Sequence, residues 1–101
     1  MSADLHDDAY RELQREYLTD LPGALADLHR AIEAHRRGED VVAALKTGFH
    51  RLAGSGGSYG FPEISEIARS AEHLAAASPA PAGADRLDEA MRRLEAALTV
   101  A

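Results

Sequence analysis

Residues 48–61 read GFHRLAGSGGSYGF and place one imidazole, His50, among five glycines at 48, 54, 56, 57 and 60. Near neutral pH an ordinary imidazole can act as a nucleophile, a proton carrier or a metal ligand. The surroundings of His50 narrow that choice. No H-E-x-x-H pair is present, and no carboxylate-x-x-His pair accompanies His29 and His35 in the di-metal bundle pattern, so a metal site is not expected. No serine and carboxylate fall at helix spacing from His50, which argues against an independent hydrolytic enzyme. What remains is an imidazole that, if its helix turns it outward, another protein can approach.

Each glycine in a helix interior costs about 1 kcal/mol relative to alanine, so the cluster must be offset by something the helix gains. At about 100° of rotation per residue, Val42, Leu45, Phe49, Leu52, Gly56 and Tyr59 fall on one stripe, spaced alternately three and four apart. His50 points about 120° away from that stripe. Ala43, Lys46, Thr47, Ala53, Gly54 and Gly57 share its sector, and all but Lys46 are small. Gly48 and Gly56 are expected to let other helices come close. Gly54 and Gly57 are expected to keep the space around the ring clear.

The rest of the chain must position this helix. Its 101 residues suffice for one domain with its own core, and we expect a single domain over 1–101. There is no cysteine, which removes disulfides, thiol catalysis and thiolate metal sites from consideration. With 17 acidic against 11 basic residues the formal net charge is −6, which disfavours a nucleic-acid partner. No signal peptide and no membrane span is read, and a cytoplasmic protein is expected.

Helical periodicity recurs throughout. A short first helix is expected from about Asp7 to Leu18, with Tyr10, Leu13 and Tyr17 on one side. Thr19 or Asp20 would cap a second, with Pro22 in its first turn and a stripe of Leu21, Leu25, Leu28, Ile32 and His35. Asp40 would cap the glycine-bearing helix. Gly60 and Phe61 would turn the chain, and Pro62 would open a helix with Ile64, Ile67, Ala71 and Leu74 inward. Ser78 to Gly83, SPAPAG, reads as loop, followed by a helix from about Ala84 to Thr99 presenting Leu87, Met91, Leu94 and Leu98. The expected fold is all-α: an antiparallel up-down four-helix bundle with a short additional N-terminal helix. His6, His29 and His73 are expected at the surface, and His35 at the end of a core stripe.

His50-Arg51-Leu52-Ala53-Gly54, Gly57-Ser58-Tyr59-Gly60-Phe61, then Ile64 and Glu72, together resemble the histidine-containing phosphotransfer (Hpt) family. The family pattern is H-x-x-K-G, further glycines at three-residue steps, and a hydrophobic helix ending in a glutamate. GGSYGF is also similar to the phosphate-accepting domain of chemotaxis histidine kinases. The resemblance is close over about 25 residues. It implies that His50 is the phosphoacceptor, taking phosphate from a histidine kinase or a response-regulator receiver domain and passing it to a receiver. It also implies that the partner supplies magnesium and the acidic pocket, so that this chain needs no cofactor or metal. Ala43, Lys46, Thr47, Arg51, Ala53, Gly54 and Gly57 would form the partner-binding face. One position departs from the pattern: the family usually has lysine where this chain has Ala53. Lys46, one turn before His50, is placed to supply a positive charge instead; Arg51 has the reach, or is an ordinary solvated charge. Ala53 sustains the alternative of a helical interaction module that does not carry phosphate.

Overall fold

The computed structural model describes residues 2–77 and 80–101, with side chains from Asp8 onward. Four helices account for nearly all of them: α1 Ser2–Arg36, α2 Val42–Ser58, α3 Pro62–Ala77 and α4 Ala84–Val100, with one 3-10 turn at Pro81–Gly83. The structure is all-helical. α1 packs on both α2 and α4, and α3 packs between α2 and α4, so the helices enclose a common core. Leu21, Leu25, Leu28 and Ile32 of α1 meet Leu45, Phe49 and Leu52 of α2, Ile64, Ile67, Ala68 and Ala71 of α3, and Leu87, Met91 and Leu94 of α4. Ile32, Leu45 and Phe49 are fully buried. The expected stripes therefore supply the core, with Leu74 and Leu98 packed at its edge.

The N-terminal region differs from expectation. The short helix and its successor are one continuous 35-residue helix with Pro22 inside it. Thr19, expected as a cap, turns its hydroxyl back onto the Arg15 carbonyl at 2.9 Å, the bond a mid-helix threonine makes. Pro22 is exposed, and the Leu21–Leu25–Leu28 stripe holds the chain helical beyond it. A 35-residue helix is about 52 Å long, which accounts for the 55 Å long dimension of a molecule only 20 and 19 Å across.

Two left-handed glycines shape the turns. At Gly38, φ is +85°, and the Glu39 amide donates to the Ala34 carbonyl at 3.0 Å, closing α1. At Gly60, φ is +82°, and the Phe61 amide donates to the Gly56 carbonyl at 2.7 Å, closing α2. Pro62 then opens α3, as the sequence suggests. Asp40 does not cap α2: Val41 occupies the cap position, and no side chain bonds there. Of the SPAPAG loop, Ser78 and Pro79 lie outside the described residues, as does the His6 side chain.

Ionic contacts join α1 to α4. Arg36 reaches Asp85 at 2.8 Å and also pairs with Asp88, which raises the guanidinium pKa above its ordinary value. His29 Nε2 lies 2.6 Å from Glu95. His35 ends the core stripe, 2% exposed, with no hydrogen-bond partner for its Nε2 among the described residues. No helix among the described residues is long and apolar enough to cross a membrane.

Candidate functional site

His50 projects from the middle of α2, and its side chain is 76% exposed. Phe49, its neighbour in sequence, is fully buried, so one residue anchors the helix and the next leaves the core. Among the described residues the ring has one partner. Nδ1 lies 3.3 Å from the Glu72 carboxylate of α3, within reach of a bent or weak hydrogen bond. With the proton on Nδ1 and donated to Glu72, the Nε2 lone pair faces outward. Glu72 is half-buried, its side chain 23% exposed, on the flank of α3 beside Ala71. The sequence pattern includes this glutamate but assigns it no role. About 80° from the Ile64 position on α3 it leaves the core stripe, and its place at the seam with α2 comes from how the two helices pack.

The glycines divide as their positions suggest. A Cβ on Gly48 would lie 2.8 Å from the Leu28 side chain, and one on Gly56 3.1 Å from both Ile64 Cγ2 and the Ser65 amide nitrogen. These two permit close helix approach. A Cβ on Gly54 would meet nothing within 4 Å, and one on Gly57 would only touch the Ser65 hydroxyl at 3.6 Å. Both are exposed, one and two turns after His50.

Ala43, Lys46, Thr47 and Arg51 are also exposed. Ala53 is not. It is 5% exposed, its carbonyl accepting a 2.7 Å hydrogen bond from the buried Ser65 hydroxyl. The reason is its rotation of about 40°, between the core stripe and His50, which is the edge along which α3 packs. The open face thus lacks Ala53. It broadens instead toward α1, where Ala43, Thr47 and Arg51 border a groove of about 720 Å3 with Tyr17, Ala24 and Leu28. Periodicity alone could not show that groove, because it depends on how far α1 stands from α2.

The far end of α2 is held by α1. Tyr17 stacks on Tyr59 with ring centroids 4.8 Å apart and lies 5.8 Å from the Phe61 ring. Its hydroxyl is 2.9 Å from that of Ser55, and partial burial raises the phenol pKa above its ordinary value against the opposing effect of that bond. Among the described residues no group of three or more histidine, aspartate and glutamate side chains is placed to hold a metal ion.

The Hpt-domain family model matches residues 12–99, which include all of α2 and α3 and nearly all of α4. The chain belongs to the Hpt-domain family. No curated protein and no solved structure matches it. Hpt domains are phosphotransfer modules of two-component signalling, carrying phosphate on histidine, and that is the function class of this chain. Within an Hpt domain the phosphate-bearing histidine must be reachable by a second protein. His29 and His73 are exposed too, but His29 is taken up by Glu95. His50 combines exposure, one carboxylate neighbour among the described residues and a floor without side chains.

Proposed function

We propose that His50 is the phosphoacceptor of this Hpt domain and that a kinase or receiver domain docks on the exposed face of α2 around it. The observation that carries the reading is the ring itself: Nδ1 toward Glu72, Nε2 free, and open space over Gly54. In the transfer, the Nε2 lone pair forms the N–P bond as the bond from phosphorus to the donor oxygen breaks. That oxygen leaves as an aspartate carboxylate of a receiver, or as ADP from a kinase. The Nδ1 proton stays between the ring and Glu72, whose negative charge stabilises the cationic ring that develops. The partner supplies the rest of the catalysis. Transfer to a receiver aspartate is the same step reversed.

Lys46, Thr47, Arg51, Gly54, Gly57 and Ala43 form the docking face in this reading, with Lys46 and Arg51 its cations. The helices run as an antiparallel up-down bundle in one domain over 1–101. The three-residue link 59–61 and the five-residue link 37–41 support that arrangement, since short connections join antiparallel neighbours. As a phosphoryl carrier between such partners, the protein is placed in the cytoplasm.

Incubation with a phosphorylated receiver, or with a kinase and ATP, followed by assay for acid-labile, base-stable label, tests the assignment. His50→Gln should lose the label, and His29→Gln and His73→Gln should keep it. Label that survives in His50→Gln overturns the reading. A wild-type chain that takes no label from any donor favours an interaction module, for which Ala53 in the lysine position is the supporting observation.

A further inference from the structure

Between Asp8 and Asp20 no residue of α1 is buried, whereas Leu21, Leu25, Leu28, Ile32, Ala34 and His35 all are. The change coincides with Pro22 and Gly23. Pro22 cannot donate the backbone hydrogen bond that its place in the helix calls for. Gly23 has nothing within 4 Å of where a Cβ would be, so no close packing requires it there and its backbone freedom is uncompensated. The weakest step of the helix and the edge of the core are therefore the same place.

On the N-terminal side of that step, the side-chain hydrogen bonds and ring stacking that tie α1 to other elements fall on residues 55–61, with Tyr17 and Leu18 half-buried at the edge of the core. Tyr10 donates to the Ser58 carbonyl at 3.2 Å, and Gln14 Nε2 donates to the Tyr59 carbonyl at 2.8 Å. The Tyr17 and Ser55 hydroxyls share a hydrogen bond, and the Tyr17 ring stacks on Tyr59 and Phe61. Tyr10 and Leu13 stay 41% and 46% exposed. Few buried apolar groups and exposed backbone hydrogen bonds are what a locally opening segment has.

The geometry points to a helix of two mechanical units: residues 8–20 are an arm latched on the α2–α3 turn, and the arm opens about Pro22–Gly23 while the four-helix core stays folded. Opening releases the carbonyls of Ser58 and Tyr59 and uncovers the Tyr59 and Phe61 rings. It also withdraws Tyr17 and Asp20 from the wall of the α1–α2 groove, so the arm sets how far that groove extends. None of this requires phosphate transfer, and the inference stands or falls apart from the role of His50.

Amide hydrogen exchange on the full chain, resolved to either side of residue 22, is the test. In the wild type, amides of residues 12–20 should exchange at least 100-fold faster, relative to their intrinsic rates, than those of 25–34. Pro22→Ala restores the missing donor and should slow arm exchange at least tenfold. Tyr17→Ala removes the latch and should speed arm exchange at least tenfold, while 25–34 and the core of α2 keep their protection. Equal protection on both sides of residue 22 overturns the proposal, as does arm exchange indifferent to Pro22→Ala. Loss of protection throughout the chain in Tyr17→Ala also overturns it, because the arm would then belong to the cooperative core.

Discussion

Gly54 offers the sharpest trial of the idea that α2 gives up stability to keep His50 accessible. Glycine in a helix interior is less favourable than alanine by about 0.5–1 kcal/mol. A Cβ there meets nothing within 4 Å, so no packing penalty opposes the gain. Gly54→Ala should therefore stabilise the fold by about 0.5–1 kcal/mol, a rise in Tm of roughly 2–8 °C for a domain of this size. Gly56→Ala, two residues away with the same propensity gain, should do the opposite. Its Cβ would press at 3.1 Å on Ile64 and on the Ser65 amide, and that amide already bonds to the Phe61 carbonyl in the first turn of α3. Overpacking of this kind costs about 1–3 kcal/mol, enough to outweigh the propensity term. Urea denaturation followed by helical circular dichroism reads both, with unchanged m values showing that only stability has moved. The functional half uses Gly54→Leu, a good helix former that should fold at least as well as the wild type. Its side chain stands one turn from the imidazole, and phosphotransfer should fall at least tenfold, about 1.4 kcal/mol in the barrier. A Gly54→Ala protein less stable than wild type refutes the open-space argument, and a Gly54→Leu protein that transfers at the wild-type rate refutes the accessibility argument.

Glu72→Ala should leave stability within about 0.5 kcal/mol, as its contact is long and at the surface, yet slow phosphorylation of His50 about five- to tenfold, the worth of one modest hydrogen bond. Nitrogen NMR of the imidazole should show the Nδ1–H tautomer losing population in that variant, and an unchanged tautomer ratio would contradict the orienting role. The raised pKa of Tyr17 means that the fold favours its neutral phenol, so its contribution is fully present below the ordinary value near 10 and is lost as pH rises through the higher folded value. Helical circular dichroism followed from pH 9 upward should show the arm's share of the helix signal lost from near pH 10, and less of it lost in Tyr17→Phe; identical profiles would contradict it.

Much of this architecture is legible as rotation. The Val42–Tyr59 stripe, the outward His50 and the division of the glycines follow from 100° steps, because burial on a helix is an angular property and the sequence records angle faithfully. The Gly60–Phe61–Pro62 turn is equally legible, since only glycine tolerates the left-handed step and proline suits the next helix start. Ala53 marks where rotation stops being enough. At about 40° from Phe49 its burial depends on which side α3 occupies, and a single helix does not contain that information. The join between the expected first two helices fails for a related reason. Thr19, Asp20 and Pro22 have the composition of a helix start, but tertiary packing from Leu21 onward outweighs that local preference, and Thr19 spends its hydroxyl inside the helix. The Asp40 cap is displaced by one residue to Val41. Glu72 and the α1–α2 groove lie between helices, and spacing within one helix is silent on both.

The 3.3 Å approach of Glu72 to Nδ1 bears on regiochemistry as well as on rate. An imidazole can carry phosphorus on either nitrogen, and the two positional isomers differ in where the group projects. With Nδ1 facing a carboxylate, an incoming phosphate there would meet a negative charge, while at Nε2 it would meet solvent. A donor and an acceptor that visit the ring in turn would then encounter one isomer in one place, so two unrelated partner surfaces can be built to a single geometry without ever meeting each other.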